Sequence, residues 1–282
     1  MLSLMTQAEE APAMREGAEA ALEVRELVKR YGDFTAVKGI SVVVRRGETF
    51  GLLGPNGAGK TTTIEIIEGL REATAGEVTV YGRSIRKDPR GVKRLIGAQL
   101  QHSDFFEHLT LLEQLDYLAA CYDTRCDVRA LLELVNLAER PKLRVQQLSG
   151  GQQQRFAIAA ALVNDPPLVL LDEPSTGLDP QARLDLWALI RRLQGGGRTI
   201  LLSTHYMEEA EELCDRVAIM DRGTIAAHGA PAELIQALLD RGYRRPQAVR
   251  EATLEDVFLT STGHSFSEAE SGAGGAGEAA AG

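Results

Sequence analysis

Cysteine is scarce in this chain, and several other marks of secreted or membrane-spanning proteins are missing as well. Cys121, Cys126 and Cys214 are three thiols in 282 residues, too few for a disulfide framework. Cys121 and Cys126 stand as C-x4-C, but no second pair or nearby histidine completes a zinc set. They read as reduced structural cysteines, and the compartment implied is the cytosol. No apolar run approaches the roughly 20 residues that cross a bilayer, so no membrane span is expected in the chain itself. The opening MLSLMTQAEEAPAMREG lacks the basic end and apolar stretch of a signal peptide. An excess of positive charge is lacking too: 31 Lys and Arg against 40 Asp and Glu leave a net charge of −9. That balance argues against a nucleic-acid partner, because phosphate backbones are held by clustered Lys and Arg.

What is present is ordinary globular material, 44% hydrophobic and 25% charged, long enough to bury a substantial core as one large domain or two small ones. Residues 1–20 are Ala/Glu-rich without steady periodicity, and 267–282 form a Gly/Ala/Glu tail; both are expected to be disordered extensions. Between them no internal repeat is found. Strand-like segments at 21–27, 34–37, 40–44 and 49–53 lead to a glycine-rich loop and then to TTTIEIIEGL, whose apolar period is helical. Further strands are predicted at 76–82 and 94–99. From 103 to 147 the pattern turns helical, with Thr110 and Glu113 spaced as a capping box.

Strand and helix then alternate. LVLLDEP (168–174) is a buried strand, Asp179-Pro180 an N-cap and first helical residue, TILLST (199–204) a strand, 206–213 a helix, and 216–229 strand, turn and strand. This alternation predicts an α/β fold with a mainly parallel sheet and an antiparallel β part on the N-terminal side. The helical stretch interrupts it as an inserted subdomain over about 103–163, within a main domain at 21–245. A C-terminal extension follows at 246–266.

The loop Gly54-Pro55-Asn56-Gly57-Ala58-Gly59-Lys60-Thr61 matches G-x-x-x-x-G-K-[ST] at every fixed position, with a strand before it and a helix after it. Its glycines let backbone N–H groups wrap phosphates at a helix N-terminus. Lys60 is placed to reach the β/γ-phosphates, Thr61 to ligate Mg²⁺, and Thr62 to add a further phosphate contact. The chain is therefore expected to bind a nucleoside triphosphate.

A second anion receptor stands nearly a hundred positions downstream. Ser149-Gly150-Gly151, opening the helical run LSGGQQQR (148–155), is a helix start suited to phosphate. In LVLLDEP, a buried strand tolerates acids only at its end, where ligand and metal meet the sheet. Asp172 fits as the Mg²⁺ residue and Glu173 as general base on the attacking water. His205, after TILLST, is a γ-phosphate sensor on one reading and a packing residue on another. Gln101 is a candidate for touching Mg²⁺ or the water, with Gln99 as its competitor. Tyr31 is read as an adenine-stacking ring or an ordinary turn aromatic.

Taken in order, RYGDFTAVKGIS with Tyr31, GPNGAGKTT, Gln101, LSGGQQQR, LLDEP, STGLD with Asp179, and STH with His205 resemble the ATP-binding subunit of ABC transporters. The resemblance runs over about 22–263. It implies ATP and Mg²⁺ as cofactors, with two such domains packed head to tail. Ser149, Gly150, Gly151 and Gln152 would then face the partner's ATP, and Asp179 would line the interface. The segment ATLEDVFLTSTGH at 252–264 looks like exporter ATPases of the ABC-2, daunorubicin-resistance kind, which implies a drug-like, lipid or polysaccharide-type cargo.

The family pattern implies a separate transmembrane permease, with this chain peripheral on the cytoplasmic side of the membrane. The permease would dock near Gln101 and the stretch His102 to Phe106, where Phe105 and Phe106 are contacts or core residues. A full set of site residues implies a homodimer. The rival within the family is a non-transport ATPase of translation or DNA repair. Such members carry two cassettes or a long coiled-coil insertion, and neither pattern is here. A P-loop kinase or GTPase gives no reason for LSGGQ.

Overall fold

The computed structural model describes residues 20–100, 104–243 and 253–262. Gln101, His102, Ser103, residues 1–19 and 263–282, and the stretch 244–252 lie outside the described residues, and with them both expected tails and most of the predicted C-terminal extension.

Two long strands open the fold, β1 (Ala20–Tyr31) and β2 (Phe34–Arg45). The sequence reads as shorter pieces because Lys38-Gly39 resembles a turn. Instead Gly39, at φ +86°, sits inside β2 where pairing steps from Leu27↔Ile40 to Val28↔Lys38, so a bulge absorbs the extra residue and the strand runs on. The chain continues through β3 (Thr49–Leu53), α1 (Lys60–Ile67), β4 (Ala75–Val80), β5 (Arg83–Ser84), α2 (Pro89–Lys93) and β6 (Ile96–Gln99). Helices α3 (Leu111–Tyr122), α4 (Val128–Leu134) and α5 (Gly150–Ala161) follow. Then come β7 (Leu168–Asp172), α6 (Pro180–Gly195), β8 (Thr199–Thr204), α7 (Met207–Leu213), β9 (Arg216–Asp221), β10 (Thr224–Gly229), α8 (Pro231–Asp240) and α9 (Leu254–Thr262).

These strands form two sheets. The smaller is antiparallel, in the order β2-β1-β4-β5, and the larger runs β10-β9-β3-β8-β7-β6, parallel except for β10. The central strands are buried on both faces, which is why TFGLL, LVLLD and TILLST read as nearly unbroken apolar runs. Alternate residues serve two cores. Val169, Leu171, Ile200 and Leu202 pack under α3 to α9, whereas Leu168, Leu170 and Leu201 face α1 and the antiparallel sheet.

The helical part hangs on one face of the larger sheet. Thr110 caps α3 by accepting from the Glu113 N–H, while Glu113 accepts from the Thr110 N–H at 2.8 Å, as the spacing predicts. Phe105 packs on Phe156 of α5 with ring centroids 5.0 Å apart, whereas Phe106 stands largely exposed against Tyr117. Helix α9 returns to the core: Leu254, Val257 and Phe258 are buried in it, and Asp256 accepts from Tyr243 Oη at 2.7 Å.

Candidate nucleotide site

The strand order places three loops on one sheet edge. Strands β3, β8 and β7 are neighbours and parallel, so Gly54, His205 and Glu173 follow adjacent C-terminal ends. A ligand held by all three sits where parallel α/β sheets take their ligands.

The glycine-rich loop leaves β3 through backbone that tolerates no side chain. Gly54 has φ +154°, and a Cβ there would come within 2.2 Å of the Met220 carbonyl oxygen; Gly59 has φ +102°, and its Cβ would lie 2.7 Å from that of Ala36. Gly59 then starts α1 without any capping side chain, and the first turn carries no acid. The N–H groups that any helix start leaves unpaired, and the positive end of its dipole, are therefore available to an anion. This is the structural observation that fits a phosphate. Pro55 and Ala58 are buried beneath the loop, while Asn56 and Gly57 form its exposed crest and Thr61 and Thr62 are half-buried. Lys60 is 4% exposed; its Nζ donates to the carbonyls of Gly54 at 2.7 Å and Pro55 at 3.1 Å and lies 3.4 Å from Glu173 Oε1.

Asp172 and Glu173 end β7 in different environments. Burial pushes the Asp172 carboxyl above its usual range, and hydrogen bonds from Ser203 and Thr61 pull it part of the way back. The Thr61 hydroxyl is thus near enough to act on the Asp172 carboxylate, two hard oxygen donors on one sheet edge. Glu173 adopts φ +49°, and its N–H donates to Ser203 Oγ at 3.0 Å. Its side chain receives His205 Nδ1 at 3.3 Å from Oε2, a charge contact short of hydrogen-bond geometry, and Thr176 Oγ1 donates to the same oxygen at 3.3 Å. Contact with His205, opposed by burial and assisted by the Lys60 charge, holds the Glu173 carboxyl down to about 2. Glu173 is therefore ionised at neutral pH.

The remaining predicted residues fall elsewhere. Ser149 caps α5: its Oγ accepts from the Gln152 N–H at 3.4 Å, and Gln152 Oε1 accepts from the Ser149 N–H at 3.0 Å. Ser149 and Gly150 are exposed, and Gly151 approaches the first turn of α6 so closely that a Cβ would lie 2.7 Å from that of Ala182. Asp179 caps the same turn through the Ala182 N–H at 2.9 Å and is exposed. The structure thus brings Ser149, Gly150, Gly151 and Gln152 beside Asp179. Tyr31 ends β1, 39% exposed, with Lys29 Nζ 5.1 Å and the Arg71 guanidinium 5.6 Å from its ring centre. Gln101 lies outside the described residues. Its competitor Gln99 is buried and donates to the Leu100 carbonyl at 2.6 Å.

Two polar residues escape the sequence reading. Ser203 links the pair of acids, donating to Asp172 Oδ1 while accepting from the Glu173 N–H. Glu209 is fully buried and accepts from Ser175 Oγ and from Trp187 Nε1, the latter at 3.0 Å, tying the turn after Glu173 to α6 and α7. Each had a faint signal: a serine inside an apolar strand, and an acid on the buried face of a helix.

With this geometry in hand, comparisons with known proteins agree. Residues 37–176 match the family model described as ABC transporter. The chain is 38% identical over 250 residues to a Nod factor export ATP-binding protein I of Burkholderia lata, covering 87% of this chain and 82% of that one. A protein of the same name from Paraburkholderia xenovorans is 43% identical over 222 residues, covering 77% and 73%. Among solved structures, an ATP-binding subunit of an ABC transporter superposes with a TM-score of 0.75 at 31% identity, over 86% of this chain and 99% of that one. A dimeric ATP-binding cassette in a post-hydrolysis state with ADP and phosphate gives a TM-score of 0.67 at 28% identity, over 74% and 98%. Sequence, fold and site agree on one conclusion: this chain belongs to the ABC transporter family, as an ATP-binding, ATP-hydrolysing subunit.

Proposed function

We propose that two copies of this chain close head to tail on ATP and drive a separate membrane permease that exports its cargo. The observation that carries this reading is the division of the machinery. Lys60, Asp172, Glu173 and His205 converge on one sheet edge. Ser149, Gly150, Gly151, Gln152 and Asp179 meet at the exposed starts of α5 and α6. In a head-to-tail pair, the second group of one copy covers the phosphates held by the first group of the other. Solved dimeric cassettes among the structural neighbours support that arrangement.

Lys60 donates to loop carbonyls and lies against Glu173. Phosphate oxygens are a stronger partner for its ammonium. As Lys60 turns to them, Glu173 loses a charge that holds it ionised, and it becomes a better base towards the attacking water. His205, in contact with Glu173, is positioned to report the γ-phosphate. Tyr31 offers an exposed ring for adenine stacking. Gln101 is assigned to the Mg²⁺ shell or the attacking water.

Thr61 and Asp172 suit Mg²⁺, an ion that takes few protein oxygens and completes its shell with phosphate and water. Among the described residues no group of three His, Cys, Asp or Glu side chains is placed to hold a metal. The ion supplies charge neutralisation on the β/γ-phosphates when bound.

No helix of the described residues is long and apolar enough to cross a membrane, so the permease is assigned to another polypeptide and this chain to the cytoplasmic face beside it. Relatives named for Nod factor export support the outward direction and a cargo of drug-like, lipid or polysaccharide type. The test is Glu173→Gln with MgATP. Turnover should fall by about three orders of magnitude, as when a chemical-step group is removed, while gel filtration shows a persistent dimer. A monomer at saturating MgATP would count against the head-to-tail reading.

A further inference from the structure

Glu209 is an acid with 0% exposure, set in the first turn of α7, four residues after His205. A carboxyl stays inside a fold only where it is bonded. Its Oε1 accepts from two separate elements: Ser175 Oγ in the turn after Glu173, and Trp187 Nε1 on α6 at 3.0 Å. Burial pushes the carboxyl up, and hydrogen bonding with the nearby Arg183 charge draws it back only in part.

Both Glu173 and His205 are tied to this one residue. Glu173 holds φ +49°, a left-handed backbone that a residue with a side chain adopts at a cost and keeps only where its surroundings fix it. Ser203 accepts its N–H on one side; on the other, two residues on, Ser175 is held by Glu209. His205 is bracketed as well. Thr204 Oγ1 accepts from the Tyr206 N–H at 2.9 Å, which closes the chain around His205. The Tyr206 ring centre lies 4.1 Å from that of His205 and 4.6 Å from the Arg183 guanidinium carbon. Arg183 and Trp187 are four apart on α6 and so share a face. Helix α6 therefore grips both ends of the segment from Tyr206 to Glu209.

We infer that Glu209 is a positioning residue for ATP hydrolysis, holding Glu173 and His205 at their working separation by anchoring both to α6. The assignment rests on the reading above of Glu173 as base and His205 as the group that reports the γ-phosphate. Glu209 acts through Ser175 on Glu173 and through α7 on His205, without reaching the phosphates itself. Binding of ATP depends on the glycine-rich loop between β3 and α1, so the effect belongs to the rate of the chemical step.

The experiment measures phosphate release and MgATP binding by the full chain, with Glu209→Leu, Glu209→Gln and Ser175→Ala as variants. Glu209→Leu fills the space but removes the acceptor. Its kcat should fall by about thirtyfold or more, since an ångström of misplacement can cost about a hundredfold, while KM and the number of ATP sites per chain hold. Glu209→Gln keeps an oxygen that accepts both bonds and should stay within about fivefold of wild type, the usual gap between charged and neutral hydrogen bonds. Ser175→Ala leaves the tie to α6 and cuts the one to Glu173. It should lower kcat by about fivefold, as loss of one hydrogen bond to a charged group does, and add little to Glu209→Leu because the two act as a unit. Should Glu209→Leu fail to fold, Ser175→Ala decides alone. Wild-type kcat in either variant would overturn the assignment. So would a fall matched by a rise in KM or by lost ATP sites, which would mark the carboxylate as an internal support. Equal damage from Glu209→Gln and Glu209→Leu would overturn the hydrogen-bond route. Wild-type turnover in Glu173→Gln, run alongside, would instead sink the reading of Glu173 as base.

Discussion

Glu173 and Glu68 are both buried acids, and their surroundings drive them in opposite directions. Glu173 touches His205 and Lys60, so its folded-state pKa lies near 2, below the usual 4.5. Its stabilising contribution is present above pH 4.5 and is lost as pH falls towards 2. Among the described residues no cation offsets the burial of Glu68, and its folded-state pKa of about 8 lies above 4.5. Its protonated form is the one the fold accepts, so stability is full below pH 4.5 and is lost as pH rises through 8. Thermal midpoints of the isolated subunit, compared between wild type and Glu68→Gln, should diverge from pH 5 to pH 8 with the variant higher, and run parallel above that. A constant offset across the range would deny Glu68 its raised pKa. At the same scale, Lys60→Ala removes the ammonium from the phosphate loop. Nucleotide affinity by titration calorimetry should fall by at least tenfold, as expected when a charged partner of phosphate is lost; unchanged affinity would refute the loop's assigned role.

Among the elements, α3 shows most plainly how a local signal serves the tertiary core. Thr110 starts the helix by a reciprocal cap, and the turns it secures carry Leu111, Leu115 and Ala119 into the core shared with α5 and the sheet. Thr110→Ala removes the side-chain acceptor and should lower unfolding free energy by about 1 kcal/mol in urea titration. ATP affinity should stay put, since α3 contributes no group to the phosphate loop. Helix α5 carries a second such cap, but there the Ser149 hydroxyl is left with its proton to offer while its lone pairs serve Gln152. That leaves a donor at an exposed helix start, consistent with use by a phosphate brought from elsewhere.

At the scale of the whole molecule, the head-to-tail proposal makes a mixing experiment decisive. Lys60→Ala spoils the phosphate loop of its own copy, and Ser149→Arg spoils the cover given to the other copy. Each variant alone leaves no intact composite site. Mixed in equal amounts, about half of the dimers pair the two variants, and each such pair has one complete site out of two. ATPase activity should then recover to about a quarter of wild type by counting alone, which follows from equal mixing of two species. Recovery near zero, with both proteins folded, would mean that each copy works within itself or that the natural partner is a different chain.

Much of this was legible in the sequence because it depends on local rules. The glycine-rich loop at 54–61 needs close backbone approaches that only glycine permits, and the contacts of Gly54 and Gly59 show the cause. The alternation of buried runs with capped helices predicts a parallel sheet flanked by helices, and the caps at Thr110, Ser149 and Asp179 stand where their spacing placed them. Other features had no local cause. The bulge at Gly39 joins what reads as two strands, since register is chosen by the partner strand and not by the dipeptide. Ser203 meets Asp172 only because β7 and β8 are neighbours, although 31 positions separate them. Glu68 looks like the polar end of a helix face, yet the packing of sheet against helices closes over it. The sequence by itself determined which groups could hold phosphate, because short-range sterics and hydrogen bonding set those loops. Only the tertiary structure decided which charges meet, because burial and electrostatics act between residues that the chain keeps far apart.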